Sequence, residues 1–253
     1  MSNEPFRTLV AASEQDVDVR GRALELFKAS PIPDAERLQN LGLHTSRQTL
    51  ARMLFFHEVY KRIVGVHGVV MEFGVRWGQD LALLQSLRGI YEPYNHTRKI
   101  IGFDTFEGFP SVHAADGAHE IIETGNYGVS EGYEHYLREL LANRERESPL
   151  SHMNKFDLVK GDVSQTLPAY LDEHPETVVA FAYFDMDLYE PTLAALEALR
   201  DRFVKGAVLG FDEIGPAHFP GETVALREAL GLSNVRLQRL PIDAEPSFLI
   251  WGE

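Results

Sequence analysis

Five short apolar runs, each containing a Gly or an Asp at or near its end, restrict the fold of this 253-residue chain more than any other feature. They are residues 69–74 (VVMEFG), 99–104 (KIIGFD), 156–162 (FDLVKGD), 178–186 (VVAFAYFDM) and 206–212 (GAVLGFD). Continuous hydrophobicity is typical of strands that are buried on both faces of a parallel sheet. Helical patterns lie between the runs, and this alternation predicts a doubly wound, Rossmann-like α/β fold with right-handed crossovers.

The two ends of the chain depart from this alternation. Residues 234–253 read as two strands joined by a Pro-containing loop, which predicts an antiparallel pair at one edge of the mostly parallel sheet. Residues 1–66 are predicted to be a helical cap, followed by the α/β domain at 67–253. An insert at 105–150 is too long for a simple crossover, and a helix with Ser130 as its N-cap is predicted inside it.

Charge and composition restrict the partners. The formal net charge of −14 argues against nucleic acid, because a nucleic-acid groove needs clustered Lys and Arg. The chain has no cysteine, which excludes disulfides, Cys-ligated zinc and thiol nucleophiles. No apolar run approaches membrane-spanning length, so we expect a cytoplasmic protein without membrane contact. Apolar rows in the N-terminal helices (ALELF, LARMLFF) predict a homo-oligomer, although capping their own sheet would explain them nearly as well.

The ends of the first three strands carry residues that suit a nucleotide-like ligand. Gly74 and Gly78 follow the first strand, where a doubly wound fold binds such ligands, but the dinucleotide pattern G-x-G-x-x-G is absent. Asp104 ends the second strand and could bind ribose hydroxyls, and Gly161–Asp162 end the third and could contact an adenine edge. Gly and Asp also end strands in any α/β protein, but three successive strand ends of this kind favour a binding site.

The ends of the fourth and fifth strands carry carboxylates. Adjacent parallel strands lie about 4.8 Å apart, so their tips can bring Asp185, Asp212 and Glu213 around one point. Oxygen ligands suit a hard divalent cation such as Mg²⁺. The alternative is that Asp187 and Glu190 cap the next helix while Asp212 and Glu213 are solvated in a loop. The spacing favours the metal site.

These segments together resemble the macrocin-type family of metal-dependent sugar O-methyltransferases, which belong to the class I S-adenosylmethionine-dependent enzymes. The resemblance rests on EFGVRWG (72–78), DTFEGFP (104–110), GDVSQTLP (161–168), DMDLYEPT (185–192) and the acidic pair 212–213. The motifs occur in the order of the family. Two departures are the order Arg76–Trp77, reversed from the usual one, and Glu213 in place of the commoner Asp.

The resemblance implies methyl transfer from S-adenosylmethionine to a hydroxyl of a deoxysugar in secondary-metabolite biosynthesis, with the sugar either nucleotide-linked or on a glycosylated natural product. The implied cofactor-binding residues are Glu72, Gly74 and Gly78 at the methionine end, Asp104 at the ribose and Asp162 at the adenine, together with Phe106 and Ser164. Mg²⁺ held by Asp185, Asp212 and Glu213 would acidify the acceptor hydroxyl, and Asp187 would be the general base.

Other functions remain open at this point. A catechol-type metal-dependent O-methyltransferase would use the same metal chemistry on a planar acceptor, but the polar insert favours a sugar. An NAD-dependent oxidoreductase fits the fold but leaves the acidic cluster unexplained. A non-catalytic binding protein would have no use for Asp185, Asp187 and Asp212. The sequence does not identify the acceptor sugar or the hydroxyl that is methylated.

Overall fold

The structure is a computed structural model that describes residues 12–253. The strands of this region are β1 Val69–Phe73, β2 Ile100–Asp104, β3 Phe156–Lys160, β4 Val179–Phe184, β5 Phe203–Phe211, β6 Gln238–Arg239 and β7 Ser247–Ile250. Its α-helices are α1 Glu14–Lys28, α2 Asp34–Arg37, α3 Arg47–Ile63, α4 Gln79–Tyr91, α5 Tyr133–Glu145, α6 Val163–Glu173, α7 Tyr189–Leu199 and α8 Gly221–Leu230. The chain divides into two compact units, with the division between Leu50 and Ala51.

All seven strands belong to one sheet with the order β3-β2-β1-β4-β5-β7-β6. The pairs from β3 through β5 are parallel, and β7 is antiparallel to both β5 and β6. The predicted fold class is therefore confirmed, including the antiparallel edge pair near the C-terminus. The strand order reverses between β1 and β4, and ligands of doubly wound sheets bind beyond the carboxyl ends of the strands at such a point.

Helices cover both faces of the sheet, which explains why its central strands are continuously apolar. In β4, Phe181 and Tyr183 point to the face covered by α3, α4 and α5, whereas Ala182 and Phe184 point to the face covered by α6, α7 and α8. This alternation is the two-residue period of an extended strand. All six residues of β4 are buried, so the strand that leads into the carboxylates is held rigidly on both sides.

The insert packs beside the carboxyl ends of β4 and β5. Phe109, Ile121 and Ile122 form a small apolar cluster with Leu188 and Phe219, which lie in the loops after those strands. The prediction that Ser130 caps the helix of the insert is wrong: α5 begins after Gly132, whose left-handed φ of 72° turns the chain into the helix. Within residues 12–253, no helix combines the length and the hydrophobicity needed to span a bilayer.

Candidate active site

Gly74 brings the end of β1 against the end of β4. It has a φ of +94°, and a Cβ there would lie 1.8 Å from the carbonyl oxygen of Asp185. Gly78, with a φ of +75°, precedes α4, and its Cβ would lie 2.5 Å from a methyl carbon of Leu137. Only glycine fits such backbone without strain or collision. The turn after β1 therefore passes directly beside the carboxylate-bearing end of β4.

Asp104 fastens the end of β2 to this turn. Its carboxylate accepts a hydrogen bond from the backbone N–H of Arg76 at 2.7 Å and another from that of Phe106 at 2.5 Å. Burial raises the pKa of Asp104, and these hydrogen bonds oppose the effect. Each oxygen can still accept a further bond. Its contact with the ribose stays a prediction, as does that of the buried Phe106 with the cofactor.

Asp162 and Ser164 stand at the beginning of α6. The Asp162 side chain accepts hydrogen bonds from the backbone N–H and the hydroxyl of Ser164, at 2.9 and 2.8 Å. This is an N-cap, which satisfies a helix N–H that would otherwise lack a partner. The contact of Asp162 with the adenine and that of Ser164 with the cofactor stay predictions.

The structure places Asp185 and Asp212 on one cation, Arg52. β4 and β5 pair through Phe184 and Phe211, so the two acids follow neighbouring strand ends. The Arg52 Nη2 donates to Asp185 Oδ2 at 2.6 Å, and Nη1 donates to Asp212 Oδ1 at 2.5 Å. Arg52 Nε donates to Asp80 Oδ2 in the first turn of α4 at 2.6 Å. Three carboxylates from three elements thus share one guanidinium.

Arg52 was missed by the sequence analysis. It lies on α3, 133 residues before Asp185, and was counted only as part of an amphipathic helix. A signal was present: Arg52 is four residues before Phe56 and seven before Val59, so it lies on the buried stripe of that helix. Its guanidinium carbon is 5.7 Å from the centre of the Phe56 ring and 5.6 Å from that of Tyr183.

The predicted metal ligands do not form a metal site in this arrangement. Within the described part of the chain, no group of three or more acidic or histidine side chains is arranged to hold a metal ion. The physical reason is that Arg52 binds Asp185 and Asp212, while Glu213 is not part of that contact. The donor chemistry nevertheless fits a hard cation, because the buried Oε2 of Glu213 has no hydrogen-bond partner.

Asp187 has an unusual backbone conformation. Its φ is +61°, in the left-handed region that few residues other than glycine adopt, although Asp and Asn do so more readily than most. The side chain is buried, and burial followed by the nearby charge of Asp212 raises the pKa of Asp187 to about 7. The same causes, burial first and then Asp187 and Asp212, raise the pKa of Glu213 to about 8. The positive charges of Arg76 and Arg52 oppose the increase in the pKa of Asp187 but do not cancel it.

Glu222, at the start of α8, holds the backbone of both acidic loops and was also missed by the sequence analysis. Its Oε1 accepts hydrogen bonds from the backbone N–H groups of Met186 and Asp187 at 3.2 and 3.3 Å. Its Oε2 accepts from the backbone N–H of Glu213 at 3.2 Å. Because Glu222 is completely buried, these bonds fix where the loops after β4 and β5 lie.

Glu72 completes the acidic surroundings from β1. Its side chain is buried, and its Oε2 has no hydrogen-bond partner. Burial, followed by the charges of Asp80 and Asp185, raises the pKa of Glu72 well above its usual range. A buried carboxylate oxygen that lacks a partner beside the Gly74 turn can bind a ligand group that is cationic or donates a hydrogen bond.

Comparison with solved structures and with protein families identifies the class of protein. The structure aligns with the O-methyltransferase NovP with a TM-score of 0.60 over 79% of both chains at 20% identity, so the two share a fold. The macrocin O-methyltransferase (TylF) family matches residues 45–228, and the chain belongs to that family. It is an S-adenosylmethionine-dependent sugar O-methyltransferase.

Two structures of CalS11 are similar over nearly the full length. One, described as a calicheamicin methyltransferase, is 42% identical with a TM-score of 0.94, covering 100% of this chain and 99% of the other. The second, an apo structure described as a TDP-rhamnose 3'-O-methyltransferase of calicheamicin biosynthesis, is 40% identical with a TM-score of 0.86, covering 99% and 100%. Comparison with curated proteins found no match.

Proposed function

We propose that this enzyme methylates a hydroxyl of a nucleotide-linked deoxysugar, with Mg²⁺, in the biosynthesis of an antibiotic or related secondary metabolite. The observation that carries the proposal is the group of carboxylates after β4 and β5, which lies beside the glycine turn after β1. CalS11, which shares 40% of its residues with this chain, is described as acting on TDP-rhamnose, and this supports a nucleotide-linked acceptor.

The cofactor would bind along the carboxyl ends of β1, β2 and β3. Glu72 and the turn bounded by Gly74 and Gly78 would receive its methionine end, because the turn has no room for side chains and Glu72 offers a free carboxylate oxygen. Asp104 with Phe106 would lie near the ribose, and Asp162 with Ser164 near the adenine. When bound, S-adenosylmethionine supplies an electrophilic methyl group on a sulfonium.

Asp185, Asp212 and Glu213 would hold Mg²⁺. The partly exposed carboxylates of Asp185 and Asp212 can reach solvent and ligand, and each uses only one oxygen for Arg52. A bound divalent ion lowers the pKa of a coordinated hydroxyl and orients it. These three residues would thereby position the acceptor beside Asp187.

Asp187 would remove the proton from the acceptor hydroxyl. The Asp187 carboxylate would accept the hydroxyl proton while the acceptor oxygen takes the methyl group, with S-adenosylhomocysteine as the leaving group. Burial followed by the charge of Asp212 raises the pKa of Asp187 to about 7 in the metal-free site, which makes this carboxylate a better proton acceptor than an ordinary aspartate. Its fixed backbone would hold it near the acceptor without reorganisation.

The test is a reaction with defined acceptors. Purified enzyme, S-adenosylmethionine and Mg²⁺ are incubated with TDP-rhamnose, with the free sugar and with a catechol, and each product is examined by mass spectrometry. We expect the TDP-sugar alone to gain one CH₂ unit and a chelator to abolish the gain. Methylation of the catechol alone would contradict the proposed acceptor. Thermal stabilisation by NAD but not by S-adenosylhomocysteine would contradict the proposed cofactor.

We also propose that the enzyme is a homo-oligomer to which the N-terminal region contributes. None of the residues of α1 is buried, and Val17, Val19, Leu24 and Leu26 are each more than half exposed. Apolar rows of this kind usually mark contacts. Light scattering at micromolar protein should report a mass of at least two chains, and a monomeric mass would contradict this proposal.

A further inference from the structure

Arg52 holds the carboxylates that the proposed metal requires. Its guanidinium lies between Asp80, Asp185 and Asp212, with donor–acceptor distances of 2.5–2.6 Å to all three. Arg52 lies on α3, whose following residues enter the core, and its guanidinium carbon lies within 6 Å of the Phe56 and Tyr183 ring centres, at 5.7 and 5.6 Å. An arginine in such a setting is a built component of the site rather than a surface charge that happens to lie nearby.

Arg52 uses one oxygen of Asp185 and one of Asp212, so a divalent cation on these carboxylates would share both of them with the guanidinium. A cation coordinated by Asp185 and Asp212 would lie within a few ångströms of Arg52, and like charges at that separation repel strongly in a partly buried site. Without any cation, in turn, the carboxylates would repel each other. The carboxylates therefore need a positive charge whether or not a metal ion is bound. In the metal-free site Arg52 supplies it, and in the metal-bound site the ion would supply most of it.

Asp80 offers Arg52 an alternative place. It is not among the proposed metal ligands, its side chain is buried, and its Oδ1 has no hydrogen-bond partner while Oδ2 already binds Arg52. A carboxylate with one free oxygen can accept a guanidinium through two parallel hydrogen bonds. Asp80 can thus keep Arg52 paired when its contacts to Asp185 and Asp212 are lost.

We propose that Arg52 is the counter-ion of the metal-free site and competes with Mg²⁺ for Asp185 and Asp212, remaining paired with Asp80 alone when the ion binds. This rests on the metal dependence proposed above. Arg52 keeps the two ligands close together in the absence of metal and lowers the affinity with which the metal binds. It is a positioning residue, since it acts through the carboxylates and not on the sugar.

The experiment measures Mg²⁺ binding directly. Metal-free protein saturated with S-adenosylhomocysteine is titrated with Mg²⁺ by calorimetry for the wild type, Arg52→Gln, Arg52→Lys and the control Arg62→Gln. Arg62 lies on the same helix but contacts Glu58 and the Phe248 ring instead. We expect Arg52→Gln to bind Mg²⁺ at least about tenfold more tightly, because it removes a nearby positive charge. Arg52→Lys and Arg62→Gln should stay close to the wild type.

Unchanged or weaker Mg²⁺ binding by Arg52→Gln, with normal binding by the wild type, overturns the competition and leaves the proposed function intact. Absence of Mg²⁺ binding by the wild type, with methyl transfer surviving a chelator, overturns the metal dependence itself. Arg52→Gln could lose its fold in chelator because its carboxylates then lack a counter-ion. In that event Mg²⁺ should restore cooperative thermal unfolding, and a variant that stays unfolded in saturating Mg²⁺ overturns the inference.

Discussion

Two largely buried charged clusters lie at opposite ends of the parallel strands and differ in how their charges are balanced. The structural network, at the amino ends of β2 and β3, consists of Arg88, Glu92, Arg98, Glu145 and Lys155. The acidic cluster, at the carboxyl ends of β1, β4 and β5, consists of Arg52, Glu72, Asp80, Asp185, Asp187, Asp212, Glu213 and Glu222. The first has three cations and two carboxylates. The second has Arg52 among seven acids, and the charge of Arg76 also acts on Asp187.

In the structural network every charged group has defined partners. Arg88 binds both oxygens of Glu145 and the carbonyl of Lys155, and the Lys155 ammonium reaches Glu145 at 2.8 Å. Arg98 binds Glu92 and the backbone carbonyls of three residues near the end of α3 and the start of β1. Backbone carbonyl oxygens thus accept hydrogen bonds from the cations that outnumber the carboxylates. The network thereby connects the segments that precede β1, β2 and β3.

The acidic cluster leaves buried oxygens of Glu72, Asp80 and Glu213 without hydrogen-bond partners. Such groups cost free energy that a purely structural site would have no reason to retain. Perturbed carboxylates collected at a ligand-binding edge are typical of functional sites. The comparison shows that burial of charge does not by itself distinguish function from structure, whereas incomplete compensation does.

The largest effect should come from Asp187→Asn. Asparagine tolerates the left-handed backbone at this position, so the turn should persist while the proton acceptor is lost. We expect kcat to fall by about 10²- to 10⁴-fold with cofactor affinity unchanged. Single-turnover methyl transfer and calorimetry with S-adenosylhomocysteine measure the two quantities. Near-normal kcat in this variant would remove Asp187 from the proposed mechanism.

In the structural network, Arg88→Met should reduce stability without impairing the chemistry. It leaves Glu145 buried with only Lys155 as a charged partner, and breaking a buried pair costs about 3–5 kcal/mol. Urea unfolding gives this free energy, and kcat per folded molecule should equal that of the wild type. Arg22→Met, which removes an exposed pair with Glu25, should change stability by less than about 1 kcal/mol. A lower kcat of folded Arg88→Met would contradict a purely structural role for this network.

Glu222→Gln should lower turnover by a smaller amount. Glu222 accepts hydrogen bonds from three backbone N–H groups, and the NH₂ group of glutamine cannot accept them. Leaving at least one N–H group without its acceptor costs about 1–3 kcal/mol and loosens the loops of Asp187 and Glu213. We expect kcat to fall more than KM rises. The control is Glu228→Gln on the same helix, which affects only an exposed contact with Tyr189. Equal kinetics in both variants would mean that Glu222 does not position the acids.

The smallest effect is on the pH dependence of stability, and the two clusters should differ in sign. Glu213 has a pKa of about 8, so between about pH 8 and its unfolded pKa of about 4.3 the folded protein retains a proton that the unfolded chain has lost. This contribution makes the metal-free protein more stable as pH falls through that range. Urea unfolding in chelator should show a reduced slope for Glu213→Gln.

Glu92 should behave in the opposite way. Burial disfavours its charge, but hydrogen bonds from Arg98, Asn95 and Tyr60 outweigh this and hold the pKa of Glu92 below its usual range. Its stabilisation is fully present above the unfolded pKa of about 4.3 and is lost as pH falls through the lower folded value. Glu92→Gln should flatten this acid limb. A wild-type slope in both variants would mean that neither carboxyl contributes as stated.

The sequence alone determined the elements of the sheet and the neighbours of its strand ends. Five apolar runs became β1 to β5 with only small changes, such as β5 beginning at Phe203 instead of residue 206. Asp185 and Asp212 follow paired strands, because strands that alternate with helices along the chain tend to lie side by side in a parallel sheet. The motifs at those ends indicated the family to which the chain belongs.

Only the tertiary structure decided which charges meet. Arg52 reaches Asp212 across 160 residues of chain, and Glu222 accepts from loops that follow two different strands. No local pattern encodes such contacts, since they depend on how α3 and α8 pack against the sheet. The sequence therefore predicted Asp185 and Asp212 as metal ligands, whereas in the fold both accept hydrogen bonds from Arg52. The N-cap of α5 is likewise Gly132 and not the predicted Ser130, because the chain enters that helix through a left-handed turn.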